Sequence, residues 1–130
     1  MKADDGARSP RRVRRPRRFG RLVGLDPARL AEYKRYHVKI WPEIEAAIRR
    51  AGIANYTIFH LRGMLYAYYE YTGPEAEYAQ RMKELAAAPR MREWWDIMEP
   101  MQRPLEFGPP GAGRAREEWW ADMEEVFHLD

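Results

Sequence analysis

The sequence predicts an α+β domain of order β-α-β-β-α-β, and three observations carry that prediction. Asn55 to Leu61 and Met64 to Tyr71 are rich in β-branched and aromatic residues and are separated by Arg62-Gly63, a hairpin signature. Ahead of them, Leu30, Tyr33, His37, Ile40, Trp41, Ile44, Ile48 and Ala51 recur at three- and four-residue steps, one apolar face of a helix. Behind them, Tyr78, Met82 and Leu85 repeat that spacing.

Taken in order, Phe19 to Leu25 is a short, mostly apolar run that fits a first strand, after which Asp26 can cap a helix and Pro27 can fill its first position. The helical pattern runs to Gly52, but Pro42 divides it. Proline has no N–H for the carbonyl of Val38 and pushes Trp41 out of the helical region, so two pieces near 27–37 and 42–51 are expected. In the first hairpin strand, alternation sets Tyr56, Ile58 and His60 on one face and Asn55, Thr57, Phe59 and Leu61 on the other. Gly73-Pro74 opens a second helical region through about Ala87; Pro89 restarts it, and Arg90 to Met98 carries Trp94 and Trp95. Pro100, Pro104 and Phe107 to Gly113 read as an irregular crossing, and Glu124 to Leu129 as the closing strand. This is the order of a ferredoxin-like fold, a four-stranded antiparallel sheet with helices on one face. The uncovered face needs a partner, so a homodimer is expected, its paired sheets making a dimeric α+β barrel.

Composition narrows the function classes. A chain of 130 residues builds one core. The absence of cysteine excludes disulfides, thiolate metal sites and cysteine nucleophiles, and fits the reducing cytoplasm. Aromatic residues make up 13%, more than packing a core of this size requires, so some should line a pocket or an interface. Positive charge is concentrated at the start: Arg11-Arg-Val-Arg-Arg-Pro-Arg-Arg18 is too charged and proline-broken to bury itself. Residues 1–17 are therefore expected to be a disordered basic tail and 18–130 the domain. The apolar stretch after the arginines is too short for an export signal or a membrane span, and no base-reading or stacking motif accompanies them, so no specific nucleic-acid partner is expected.

His37 is the first candidate for chemistry. It lies on the apolar helix face, one turn from Tyr33 and just before the break at Pro42. Imidazole titrates near neutrality and serves as acid or base. A helix C-terminus favours its charged form and burial its neutral one, two opposing effects that the sequence does not sum. Standing alone, such a histidine is equally a packed core residue. Tyr33 and Tyr56 offer hydroxyls to a polar ligand, while Trp94 and Trp95, adjacent on a helix and so about 100° apart, cannot play the same part. One would stack on a ligand and the other brace the pocket. His60 and His128 have no carboxylate or cysteine at ligand spacing, so no metal site is expected, and Glu43 reads as a first-turn helix residue. Trp119 and Trp120 read as core or interface.

Tyr33-x-x-x-His37, Ile40-Trp41-Pro42-Glu43, Asn55-Tyr56, Trp94-Trp95 and Glu125-Val-Phe-His-Leu129 together resemble the L-rhamnose mutarotase family over roughly residues 19–130. The resemblance implies a cofactor-free isomerase that interconverts the α and β anomers of L-rhamnose or a related 6-deoxy aldose. In it His37 matches the catalytic acid/base, and Tyr33, Tyr56, Trp94 and Trp95 match the sugar-binding positions. The family dimerises through its sheets, which agrees with the order derived above. Two departures bear on which sugar fits: the hairpin Leu61 to Met64 looks short, and the pair Trp119-Trp120 precedes the last strand. The rival expectations are a noncatalytic small-molecule-binding domain and a monooxygenase-like or haem-handling protein on the same fold.

Overall fold

The computed structural model describes residues 16–105 and 119–130. The tail up to residue 15 and the crossing from Phe107 to Gly113 lie outside the described residues.

Strand β1 spans Arg17–Leu25 and begins two residues before the apolar run at Phe19. Arg17 belongs to the sheet because it is held on several sides. It pairs with Tyr71 in the ladder, its guanidinium is 2.9 Å from Glu75, and it lies over the Phe19 and Tyr78 rings at 4.9 and 4.4 Å. Asp26 then accepts from the Ala28 amide at 3.0 Å and caps a short 3-10 turn, Pro27–Arg29, that leads into helix α1, Leu30–Val38. The break falls where proline dictates. Trp41 is extended, with φ −61° and ψ 133°, and α2 runs from Pro42 to Arg50.

Strands β2, Ile53–Leu61, and β3, Met64–Tyr71, form the expected hairpin. Both turn residues have positive φ, 49° at Arg62 and 78° at Gly63, the type I′ geometry whose twist suits a two-residue connection. A bulge interrupts β2: Ala54 pairs with Glu70 and Thr57 with Tyr68, so one extra residue sits between them, and Asn55 there takes φ 54°. Asparagine tolerates that left-handed conformation better than most residues.

The second helical layer repeats the design of the first. After a 3-10 turn at Glu75–Glu77, helix α3 covers Tyr78–Ala87; Ala88 is extended at ψ 125°, and Pro89 starts α4, which ends at Met98. Two short strands close the sheet: β4, Gln102–Arg103, and β5, Ala121–Met123. The sheet order is β2-β3-β1-β4, with β5 beside β4 on the same edge of β1 and all pairings antiparallel. The ferredoxin-like order thus holds, with the fourth strand position shared between two segments and each helix position divided at a proline.

The closing strand is corrected. It lies at Ala121–Met123, and Glu124 to Leu129 is not a strand. The alternating apolar residues that suggested one meet no sheet edge among the described residues. Arg18 holds Glu125 through two side-chain hydrogen bonds of 3.1 and 2.9 Å, while Val126, Phe127 and Leu129 stay 87, 79 and 79% exposed.

One face of the sheet carries the core. Val23 and Leu25 of β1 and Leu65 of β3 are buried against Ile44 and Ala47 of α2, and Met91, Trp94 and Met98 of α4. Burying each of these large side chains contributes on the order of 1.5–3 kcal/mol.

Candidate active site

A cleft of about 1480 Å³ lies between this inner sheet face and the helices, and His37, Tyr33, Tyr56, Trp94 and Trp95 all line it. Three elements deliver the five residues: α1 supplies Tyr33 and His37, β2 Tyr56, and α4 the tryptophans.

His37 occupies the last turn of α1, where helix carbonyls lack intrahelical donors. Its Nδ1 is 2.8 Å from the Tyr33 carbonyl oxygen. A carbonyl only accepts, so Nδ1 carries the hydrogen, and in the neutral ring Nε2 holds the lone pair. The balance left open by the sequence is resolved by burial, which lowers the His37 pKa and outweighs the opposing contact with the carbonyl. Near neutral pH the imidazole is an uncharged base whose tautomer is fixed by its own helix.

Aromatic rings hold it in place. Tyr33 lies against it with centroids 4.4 Å apart, and Trp94 meets it edge-on at 5.4 Å. Trp94 is itself buried and takes further edge contacts from Tyr36 at 5.9 Å and Trp41 at 5.2 Å. Trp41 reaches it because the turn at Pro42 redirects the chain, and the Arg90 guanidinium covers the Trp41 ring at 4.1 Å. Trp94 is therefore the brace of the tryptophan pair, while half-buried Trp95 also lines the cleft.

The Tyr33 hydroxyl meets Gln102 beside the cleft that both line; burial pushes it up to about 12, partly offset by the 3.2 Å hydrogen bond donated by Gln102. Tyr56 reaches the cleft through the bulge. Ile53 faces the core opposite Tyr71, and strict alternation from it would send Tyr56 outward; the extra residue moves Tyr56, Ile58 and His60 to the helix side. Its ring packs 5.1 Å from Tyr69. Although 42% of the residue is exposed, the buried part is the hydroxyl end. Burial raises that phenol to about 12, with Tyr33 adding to the rise and Arg21 opposing it.

Three cleft residues are not assigned to the site by sequence. Arg21 points inward from β1, 2.8 Å from Asp122 and 5.7 Å from the Tyr69 ring centroid. The alternation of Phe19, Val23 and Leu25 could have exposed it, since Arg21 shares their face. Gln102 is the one buried polar side chain among the described residues. Trp119, expected in core or interface, donates to Gln102 Oε1 at 2.9 Å. Of the remaining histidines, His60 also lines the cleft, its Nε2 accepting from the Gly63 amide at 3.3 Å, and His128 pairs with Asp130 at 2.7 Å. Among the described residues no group of three His, Cys, Asp or Glu could hold a metal ion, and no helix is long and apolar enough to cross a membrane.

The arrangement thus offers one base, two phenols and a tryptophan face around a partly dry space, equipment for moving protons on a small polyhydroxylated molecule. A family model described as L-rhamnose mutarotase matches residues 18–129. The L-rhamnose mutarotase of Lactiplantibacillus plantarum is 34% identical over 115 residues, covering 87% of this chain and 98% of its own. That of Acidiphilium cryptum is 37% identical over 107 residues, covering 81% and 90%. A crystal structure of L-rhamnose mutarotase from Formosa agariphila superposes with a TM-score of 0.64 at 23% identity, over 87% of this chain and 98% of that one, a likeness of fold.

Proposed function

The chain belongs to the L-rhamnose mutarotase family, and we propose that it interconverts the α and β anomers of L-rhamnose or a related 6-deoxy aldose with His37 as the acid/base group. The observation that carries this role is the hydrogen bond from His37 Nδ1 to the Tyr33 carbonyl, which leaves Nε2 as an acceptor one helical turn from a phenol.

The chemistry follows from these two groups. Nε2 takes the proton of the anomeric hydroxyl; the C1–O5 bond breaks as C1=O1 forms, and the electron pair left on O5 receives a proton from a phenol. The open chain turns about C1–C2, O5 closes on the other face of C1, and the protons return. One base and one acid suffice, and no electrons leave the sugar. Tyr33, beside His37, is the phenol assigned to O5, and Tyr56 a second hydroxyl for the sugar. Trp95 lies along the C–H face of the ring and excludes water, while Trp94 keeps the imidazole from turning away. Family membership favours this assignment over the noncatalytic and monooxygenase alternatives.

A homodimer joined through the outer sheet face and a cytoplasmic site of action are parts of the same proposal. Exposed Phe59, Leu61, Tyr66 and Met123 support the first, and the cysteine-free chain supports the second. Saturation-transfer NMR between the anomeric signals of L-rhamnose and a panel of aldoses tests the activity. Wild-type protein should exchange at least one sugar's anomers faster than buffer; exchange at the buffer rate for every sugar would sink the proposal.

A further inference from the structure

We infer that Trp119 and Gln102 are positioning residues that hold the Tyr33 phenol as a hydrogen-bond donor to the sugar, an inference that rests on the mutarotase assignment above. The argument is one of direction. An indole N–H can only donate, so its 2.9 Å contact fixes Oε1 of Gln102 toward Trp119 and turns the amide nitrogen toward Tyr33. An amide NH2 also only donates, so the Tyr33 oxygen accepts at 3.2 Å. With its oxygen engaged, the phenol keeps its own hydrogen for a partner on the cleft side.

The chain Trp119→Gln102→Tyr33 therefore sets a donor one turn from His37, whose Nδ1–H is spent on the Tyr33 carbonyl and whose Nε2 accepts. A donor and an acceptor held by separate networks match the two proton transfers of anomer exchange. Burying a lone polar side chain is costly unless it is paired, and Gln102 is paired at both ends. Trp119, part of the second tryptophan pair, is thereby tied to the site from near the far end of the chain.

A double-mutant cycle tests the role. Gln102→Glu presents acceptors to both neighbours, so the Tyr33 hydrogen turns toward residue 102 and away from the sugar; kcat should fall roughly tenfold or more with KM within about twofold. In a Tyr33→Phe background the same change should cost nothing further. An equal loss in both backgrounds overturns the positioning role. Gln102→Met, which buries no charge, supplies the same cycle if the glutamate variant does not fold.

A second measurement needs no sugar. The Trp119 indole resonance, assigned with Trp119→Phe, should exchange its proton slowly in the wild type and at least about tenfold faster in Gln102→Met. An unchanged rate overturns the chain even if anomers exchange. Wild-type protein inactive on every sugar, with a protected indole, overturns the mutarotase assignment and leaves the chain of hydrogen bonds standing.

Discussion

Alternate residues of the same strands make the two faces of this sheet, and the faces differ in what they have been given. The inner face carries Tyr56, Tyr69 and Arg21 among buried aliphatics and is roofed by four helices. The outer face carries Phe59, 61% exposed, and Leu61, 58% exposed, with nothing among the described residues over them. A cleft with polar groups is thus sheltered on one side while large apolar groups are bare on the other. The difference teaches that the proposed chemistry and the proposed association fall on opposite parities of one set of strands, so each should be separately removable.

The largest separation should come from the roofed side. His37→Ala is expected to slow anomer exchange by about 10²–10⁴-fold, and Tyr33→Phe by about 10–100-fold, with the chain still folded by circular dichroism. If His37→Ala keeps the wild-type rate, the acid/base role is lost and the inner face is only a binding surface. Trp95→Ala should act on binding, raising KM by roughly tenfold while kcat changes little, a shift measurable from the sugar dependence of the exchange rate.

The bare side should answer differently. Replacing Phe59 and Leu61 together by serine should halve the mass seen by light scattering while the rate per chain stays within about threefold. A dimer that survives these changes would move the interface elsewhere; a rate that collapses with the dimer would mean the two parities are not independent.

The smallest effect is one of pH. Histidine in an unfolded chain titrates near about 6.5, and burial sets the folded His37 lower, so the unfolded state takes up the proton first. Its contribution to stability is full above about 6.5 and is lost as pH falls through the folded value. Denaturant midpoints should drop over that acid range in the wild type and drop less in His37→Gln; equal slopes would show that the imidazole is not desolvated.

What could be read in advance was what is local. The breaks at Pro42 and Pro89 follow from one ring each, the hairpin from Arg62-Gly63, and the neighbouring of Tyr33 and His37 from helical spacing. Tyr56 groups correctly with Ile58 and His60 because the alternation runs from Asn55 onward, after the bulge rather than through it. Gln102 gave no signal because its partners, Tyr33 and Trp119, come from distant positions. The segment Glu124 to Leu129 has the pattern of a strand, but a strand also needs an edge, and pattern says nothing about where edges lie.

Asn55 works as a phase change in a two-beat rhythm. Before it, odd-numbered residues of β2 look inward; after it, even-numbered ones do. Unbroken alternation through Asn55 would send Phe59 and Leu61 in among the helices and turn Tyr56 out to water, whereas deleting Asn55 would close the bulge and leave Tyr56, Ile58 and His60 inward. The reach of the cleft along β2 is thus written in the location of one inserted residue, which makes the bulge the place where evolution or an engineer could relocate a wall of the cleft without redesigning the sheet.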